Sequence, residues 1–350
     1  MGSWPYRMAK SNNRSPAIVH RKFTLEAIVP IMRAKFFTAV VCLIMALCLT
    51  GCGGGGSGVS TTPGTPPTTP PSANSKVPRI GHVFLLVEEN QDYSSVIGSP
   101  AMPYLNSLAT KYGLATQYFA DAHPSIPNYF MLTTGQPVTF DDTSTTTVTD
   151  DNLVRELIAA GKTWKSYAQS LPAVGYAGGD AYPYLERHNP FSYFSDVRTS
   201  SAQLQNLVPF TQLATDLAPT GQLPNFGFIV PDAQHDAHDC PDGTQNCANE
   251  VKLSVADSWL QTNIAPLIAS PAFQQDGLLV IVFDEGAQID ITHGGGQVPM
   301  ILISPKAKAG YQSNTIFEHA STLRLLVETT GAAALPGGSA VAPDMNSFFP

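Results

Sequence analysis

Short apolar runs alternate along this chain with longer stretches in which apolar residues recur at helical spacing. A nearly continuous apolar run of a few residues is typical of a strand buried on both faces of a sheet. Such runs occupy residues 80–87, 226–230, 278–283 and 300–303. Helical spacing occupies residues 102–112, 128–134, 251–268 and 316–329. The alternation predicts an α/β fold, a mostly parallel sheet sandwiched by helices.

Two further stretches are less regular. Residues 114–120 predict a strand or the end of one. Residues 140–224 are rich in Tyr, Gly, Ser and Pro and have no clear period. We interpret this second stretch as an insertion that shapes the access of substrate to the domain.

The first 76 residues lie outside the α/β pattern. Arg33 and Lys35 precede a short apolar run that ends at Leu49-Thr50-Gly51-Cys52, as in a secretory signal. A transmembrane anchor is the alternative, but about 14 apolar residues are too few to span a bilayer comfortably. The tetrapeptide resembles a bacterial lipobox, which implies lipidation of Cys52. We expect an N-terminal extension and signal over 1–52, a Gly/Thr/Pro/Ser-rich linker over 53–76 and a folded domain over 77–350.

Charge is unevenly distributed along the chain. Residues 1–75 hold seven of the 19 Lys and Arg residues and one of the 27 Asp and Glu residues. The remainder therefore carries 12 basic and 26 acidic groups, a net charge of −14. A domain this acidic has no general attraction for nucleic acid, so we expect no nucleic-acid partner.

The cysteines favour export from the cytoplasm. Cys42 and Cys48 lie in the signal and Cys52 is the expected lipid site, so Cys240 and Cys247 remain in the folded domain. In an oxidising compartment this pair would form a disulfide, whereas a thiolate metal site would need a second cysteine pair. We therefore predict a protein of the bacterial cell envelope that is lipid-anchored or secreted.

Polar side chains follow four of the predicted strands. Ligands of parallel α/β sheets bind outside the carboxyl ends of the strands, so these residues are candidates for one common site. Taken alone, Ser125 would be a helix cap and Asp284 the start of a loop. Their grouping at strand ends favours a site instead. The candidates are Glu89, Asn90, His123, Ser125, Asn128, His235, His238, Asp284 and Glu285.

Four of these segments carry a resemblance to a known family. They resemble, in order along the chain, motifs of the phosphoesterase family of bacterial acid phosphatases and phospholipase C-type enzymes. That family is a distant relative of the alkaline phosphatase superfamily. The resemblance implies an alkaline phosphatase-like α/β domain that hydrolyses phosphate esters. The segments are Val87-Glu88-Glu89-Asn90, His123-Pro124-Ser125-Ile126-Pro127-Asn128-Tyr129, His235-Asp236-Ala237-His238-Asp239 and Phe283-Asp284-Glu285.

The resemblance also implies roles for individual residues. Ser125 would attack a phosphomonoester in line, and water would then hydrolyse the phosphoserine. Asn128 would donate a hydrogen bond to a phosphate oxygen. Carboxylate and amide oxygens suit a divalent metal ion of hard or borderline character. The implied metal ligands are Glu89, Asn90, Ser125, Asp284 and Glu285.

One departure from related enzymes bears on the number of metal ions. Relatives with two metal ions carry an Asp and a His four residues apart after the third strand, and an Asp-His pair after the next. Here Asp232 is followed by Asp236, and Asp284 by Glu285, so we expect one metal ion per site. The sequence does not identify which residue contacts phosphate or protonates the leaving group. The candidates for that role are His123, His235 and His238.

Three other functions fit part of the sequence. A phospholipase C-type phosphodiesterase would use the same site on a diester. A non-catalytic surface lipoprotein would bind ligand without turnover. The segment His293-Gly294-Gly295-Gly296 resembles the oxyanion-hole motif of lipase-type hydrolases, but the domain lacks the Gly-x-Ser-x-Gly elbow that their fold needs. We predict an exported, metal-dependent phosphatase with acid phosphatase character, and the phosphodiesterase is the alternative.

Overall fold

The computed structural model describes Pro70 and residues 75–350 of the chain. Over these residues strands alternate with helices, as the hydrophobic pattern predicts. The strands are β1 (His82–Glu88), β2 (Gly113–Ala115), β3 (Tyr118–Phe119), β4 (Trp164–Ala168), β5 (Leu207–Pro209), β6 (Phe226–Val230), β7 (Gly277–Phe283), β8 (Met300–Ile303), β9 (Gln312–Ser313) and β10 (Phe317–Glu318). The helices are α1 (Tyr93–Val96), α2 (Pro103–Lys111), α3 (Ser125–Thr134), α4 (Leu153–Ala159), α5 (Ser195–Arg198), α6 (Ser201–Leu204), α7 (Gln212–Leu217), α8 (Asn249–Asn263), α9 (Ala265–Ala269), α10 (Pro271–Asp276) and α11 (His319–Thr330).

Eight of the strands form one sheet in the order β5-β4-β6-β1-β7-β8-β2-β9. Strands β5, β4, β6, β1 and β7 are parallel to one another, and β8 is antiparallel to both β7 and β2. Strands β3 and β10 form a separate parallel pair. The predicted fold class, a mostly parallel sheet with helices, is therefore confirmed.

The centre of the sheet consists of the most apolar strands. Every residue of β6 and β7 is buried, and in β1 only His82 is partly exposed. Burial on both faces removes about 25 cal/mol of unfavourable hydration free energy for each Å² of apolar surface, so these runs favour the middle of the sheet. Because β6, β1 and β7 are parallel, the residues that follow them meet at one edge.

The structure corrects two of the predicted elements. Residues 114–120 form two short strands, β2 and β3, that belong to different sheets. Residues 140–224 are not merely an insertion, because they supply β4 and β5 to the central sheet. The sequence conceals β4 because Lys165 and Ser166 interrupt its apolar pattern. Lys165 pairs with Asp216 at 2.6 Å, and the Ser166 hydroxyl donates to Asn189 Oδ1 at 2.8 Å, so both polar groups are satisfied inside the sheet.

The loop after β6 is closed by the predicted disulfide. Cys240 and Cys247 are joined through their sulfur atoms, with 2.08 Å between them. The backbone N–H of Asp239 donates to the carbonyl oxygen of Ala233 at 2.8 Å, which folds the loop back towards the end of β6. This loop carries the His235–Asp239 segment.

Candidate active site

Ser125 is the first residue of α3 and is buried. Its hydroxyl donates to Glu89 Oε2 at 3.1 Å and approaches Glu285 Oε1 at 3.4 Å. The next backbone N–H, that of Ile126, donates to Asp142 Oδ1 at 3.1 Å. The hydroxyl thus lies at a helix N-terminus, where the helix dipole favours an anion and where the Asp142 carboxylate already meets one N–H group.

Asn90 completes the turn that follows β1. Its φ of 54° lies in the left-handed region, where Asn is tolerated better than most residues. Its backbone N–H donates to Asp284 Oδ1 at 3.0 Å, and its side-chain amide donates to Glu89 Oε2 at 3.2 Å. The structure therefore brings together all five residues that the resemblance implies as metal ligands.

The cluster is crowded with carboxyl groups. Burial, followed by the negative neighbours Asp284 and Asp236, raises the pKa of Glu89 well above its usual value. Burial raises the pKa of Asp284 to about 7, and burial together with Asp284 raises that of Glu285 to about 9. In the described part of the chain, the basic partners within ion-pair distance of these four carboxylates are imidazoles, with no Lys or Arg among them. The site therefore needs protons or a cation to offset its charge.

Two polar atoms in the cluster show that the residues fit a bound cation. Asn90 Oδ1 and Asp284 Oδ2 are buried and lack a hydrogen-bond partner among the described residues. Buried polar oxygens are rarely left unpaired, since each costs a few kcal/mol. Carboxylate, amide and hydroxyl oxygens are the donors that hard divalent ions prefer. The donor set of this site suits such an ion.

His123 links the cluster to the loop that follows β7. Its Nε2 lies 2.9 Å from the carbonyl oxygen of Asp290, which can only accept, so Nε2 carries the hydrogen. Its Nδ1 lies 2.8 Å from Glu285 Oε2, so one proton is shared between the imidazole and this carboxyl group. Both ring nitrogens of His123 are therefore engaged in holding the site together.

His188 belongs to the site, although no motif in the sequence selects it. It is buried, with Nε2 3.2 Å from Glu89 Oε1 and Nδ1 3.3 Å from Asp236 Oδ2. Its ring is nearly parallel to that of Tyr129, whose hydroxyl donates to Glu89 Oε1 at 2.5 Å. Burial lowers the pKa of His188 well below its usual value. The only local sign is an Asn-Pro pair after it, which indicates a turn rather than a ligand.

These contacts create a second grouping that could hold a cation. Glu89, His188 and Asp236 each offer one ligand atom, and these three atoms all lie within 4.8 Å of one another. This trio shares Glu89 with the five predicted ligands. The Glu89 carboxylate thus meets His188 of this trio through Oε1 and the Ser125 hydroxyl of the predicted ligand set through Oε2.

Three predicted site residues have contacts that differ from their expected roles. The Asn128 amide is engaged with backbone: Oδ1 accepts from Asp121 and Ala122 at 3.1 Å each, and Nδ2 donates to Ala122 O at 2.8 Å. Nδ2 also donates to the carbonyl oxygen of Pro124 at 3.3 Å, so both of its hydrogens are engaged and Asn128 braces the segment before Ser125. His235 and His238 make no hydrogen bond to Ser125 within residues 75–350. They pair with their own neighbours, Asp232 at 2.6 Å and Asp239 at 2.7 Å.

The glycines after His293 pack against the segment that leads to Ser125. Gly294 has a φ of 108°, and a Cβ atom there would collide with the carbonyl oxygen of Asp121. A Cβ atom on Gly295 would lie 2.5 Å from the carbonyl oxygen of Ala122. The Gly295 N–H also donates to Ala120 O at 3.1 Å. These glycines allow a close backbone approach and do not form a lipase-type oxyanion hole around a serine elbow.

Solved structures define the class of fold. The chain matches an alkaline phosphatase superfamily protein from Vibrio parahaemolyticus with a TM-score of 0.55 and 14% identity, over 78% of this chain and 72% of that one. It matches the lipoteichoic acid synthase LtaP from Listeria monocytogenes with a TM-score of 0.54 and 11% identity, over 80% and 82%. At such low identity the likeness concerns the fold alone. The chain therefore shares its α/β fold with both of these proteins.

Sequence comparison gives the family. Residues 99–331 match the Phosphoesterase family. The chain is 32% identical to the phosphatidylinositol-3-phosphatase of Mycobacterium tuberculosis, over 74% of this chain and 80% of that protein. It is 27% identical to the acid phosphatase of Aspergillus fumigatus, over 71% of this chain and 54% of that protein, so it spans about half of this fungal relative. The chain belongs to the Phosphoesterase family, and it is a phosphoric monoester hydrolase.

Proposed function

We propose that this enzyme hydrolyses phosphomonoesters through a phosphoserine formed on Ser125, with one divalent metal ion at the site. The observation that carries the proposal is the position of the Ser125 hydroxyl. It lies at the N-terminus of α3 and within hydrogen-bond distance of Glu89, beside the unpaired oxygens of Asn90 and Asp284. The names of the relatives support the same reaction class.

The residues of the chain account for both halves of the reaction. In the first, the bond between Ser125 Oγ and phosphorus forms while the bond from phosphorus to the leaving oxygen breaks. The hydroxyl proton passes to Glu89, whose Oε2 is the acceptor 3.1 Å from Ser125 Oγ. In the second, water attacks phosphorus while the bond from phosphorus to Ser125 Oγ breaks. One water proton passes to the imidazole that protonated the first leaving group, and Ser125 Oγ leaves with the proton from Glu89. A divalent ion bound by the five ligands would neutralise phosphate charge and favour the ionised serine.

The leaving oxygen needs a proton, and we assign its delivery to His238. Its Nδ1 is held by Asp239 at 2.7 Å, and its Nε2 makes no hydrogen bond within the described residues. Its ring centroid lies 6.2 Å from that of His188, which touches Glu89. His123 has both nitrogens engaged. His235 Nδ1 lies near Asp232 and Gln169, and its Nε2, like that of His238, makes no hydrogen bond within the described residues. We choose His238 because its ring lies beside His188 and therefore near the Glu89 carboxylate.

Export and lipid anchoring are part of the proposal. They are supported by the lipobox-like tetrapeptide that ends at Cys52, which lies outside the described residues, and by the disulfide between Cys240 and Cys247. Among helices of the described region, none is long and apolar enough to cross a membrane. The division into 1–52, 53–76 and 77–350 stays a prediction.

The proposed activity is tested with two chromogenic substrates that differ by one ester bond. We expect the enzyme with a divalent ion to hydrolyse p-nitrophenyl phosphate with a kcat/KM at least about tenfold above that for bis(p-nitrophenyl) phosphate, since a monoester leaves three phosphate oxygens to meet the cation and helix terminus. Steady-state release of p-nitrophenol measures both. A preference for the diester would favour the phospholipase C-type alternative, and no turnover of either would favour a binding protein.

A further inference from the structure

The carboxylate of Asp142 occupies the N-terminus of the helix that carries Ser125. Its Oδ1 accepts from the backbone N–H of Ile126, the residue after Ser125, at 3.1 Å. Pro127 follows and has no N–H, so among the first three residues of α3 only Ser125 and Ile126 have a backbone donor to offer an anion. An acidic side chain of the protein itself therefore takes one of the two backbone donors nearest the nucleophile.

Asp142 also adds its charge to the other acidic groups of the site. Burial, followed by the negative neighbours Asp284 and Asp142, raises the pKa of Glu285 to about 9. Glu285 Oε1 in turn lies 3.4 Å from the Ser125 hydroxyl. A phosphate dianion that approaches Ser125 meets the negative charge of Asp142, and like charges repel more strongly in a partly buried site than in water. Asp142 therefore has both the position and the charge to compete with substrate.

The loop that carries Asp142 is held to α3 by this contact alone among its hydrogen bonds. Residues 137–147 are exposed or half-buried. Within the described part of the chain, their other hydrogen bonds join members of the same stretch, as when the Thr143 N–H donates to Asp141 Oδ1 at 2.9 Å. The bond from Ile126 to Asp142 is the one that leaves the stretch. The carboxylate is thus able to leave the helix without breaking a second hydrogen bond to the rest of the protein.

We propose that Asp142 is a specificity residue that phosphate displaces: its carboxylate occupies the Ile126 N–H in the free enzyme and gives up this donor to the arriving phosphomonoester. The contact weakens the hold of the enzyme on every phosphate dianion, including the inorganic phosphate that it releases. A phosphodiester carries one negative charge fewer and meets less of this repulsion. The inference rests on the proposed function, because phosphate has to arrive at Ser125.

A plain helix cap has the same geometry but different consequences. A cap stabilises a helix by satisfying an N–H group, and its loss lowers stability without tightening the binding of any ligand. Asp142→Asn separates the two roles, because the amide oxygen still accepts from Ile126 whereas the charge is gone. Competition with phosphate predicts tighter phosphate binding by this variant, and a cap predicts no change.

The test compares the wild type with Asp142→Asn and Asp142→Ala, in the same divalent ion and at about pH 8, where a phosphomonoester carries close to two negative charges. The matched control is Asp141→Asn, which loses the same charge at a carboxylate that accepts from Thr143 and not from α3. Steady-state kinetics give KM and kcat for p-nitrophenyl phosphate and bis(p-nitrophenyl) phosphate, and the inhibition constant of inorganic phosphate. Calorimetric titration of inorganic phosphate into Ser125→Ala, with and without Asp142→Asn, gives the affinity without turnover.

We expect Asp142→Asn to lower KM for p-nitrophenyl phosphate and the inhibition constant of phosphate about fivefold or more, because one repulsive charge is lost. The kcat should be unchanged or lower, since phosphate leaves more slowly, and KM for the diester should change less. The calorimetric affinity should rise by the same factor, Asp142→Ala should act at least as strongly, and Asp141→Asn should match the wild type.

Three results would overturn the proposal. They are a phosphate affinity of Asp142→Asn that is unchanged or weaker, an equal gain in Asp141→Asn, and loss of the divalent ion from Asp142→Asn, which would make Asp142 a metal ligand. A wild type that binds phosphate but does not turn over p-nitrophenyl phosphate would instead count against the proposed function. In that case the calorimetric comparison still decides the role of Asp142.

Discussion

Replacement of Ser125 by alanine should lower kcat for p-nitrophenyl phosphate by at least about 10³-fold. The substitution removes the one oxygen that lies both at the N-terminus of α3 and 3.1 Å from Glu89. It leaves the carboxylates and the helix in place, so the fold and most of the affinity for a divalent ion should persist. Steady-state kinetics, circular dichroism and metal analysis of the same preparation measure the three properties.

Ser321→Ala is the matched control for this substitution. Ser321 is also a buried serine, it lies on α11, and its hydroxyl has no hydrogen-bond partner in the described region. Loss of that hydroxyl should change neither turnover nor stability appreciably. If Ser125→Ala retains turnover within about tenfold of the wild type, another group or water attacks phosphorus, and the nucleophile assignment is wrong.

Asp284→Asn should abolish the response of the enzyme to divalent ions. One Asp284 oxygen accepts from the Asn90 N–H and the other has no hydrogen-bond partner among residues 75–350, so the carboxylate is placed to hold a cation. An amide keeps the shape but loses the charge, and we expect turnover to fall at least about 100-fold. Metal content after dialysis and titration of activity with Mg²⁺, Mn²⁺ or Zn²⁺ measure the effect. Unaltered metal content would indicate that the ion binds instead to the Glu89, His188 and Asp236 cluster.

The same variant should alter the pH dependence of stability. In the metal-free wild type, burial raises the pKa of Asp284 to about 7 and that of Glu285 to about 9. Between the ordinary carboxyl values and these, the folded protein binds more protons than the unfolded chain, so stability falls as pH rises from about 4 to about 9. The amide introduced by Asp284→Asn does not titrate, so the Tm of the variant should decline less. A divalent ion should raise the wild-type Tm more at pH 8 than at pH 5, and a reversed order would contradict this assignment.

The fold was predictable where burial acts on both faces of a strand. Strands β1, β6 and β7 are continuous apolar runs, which the sequence shows directly. The residues after these strands could be assigned to one edge because parallel strands end together. Strand β4 was missed because its Lys and Ser residues are satisfied by Asp216 and Asn189, partners that only the folded chain supplies.

The parts of the site that were missed depend on contacts between distant segments. His188 reaches Glu89 only because the segment after β4 packs beside the ends of β6 and β1, far along the chain from its partner. Asn128 shows a local effect. The resemblance implied a hydrogen bond from its amide to phosphate, but Asn side chains readily bond nearby backbone, and here the amide bonds to residues 121 and 122.

Covalent phosphorylation of Ser125 during turnover distinguishes the proposed mechanism from direct attack by water. The most direct measurement is mass spectrometry of enzyme quenched in acid during hydrolysis of p-nitrophenyl phosphate, followed by digestion. We expect a phosphoryl group on the peptide that contains Ser125, present with substrate and absent from Ser125→Ala. Full turnover with no phosphorylated peptide, together with inversion of configuration at a chiral phosphate, would show that water attacks directly and that Ser125 is not the nucleophile.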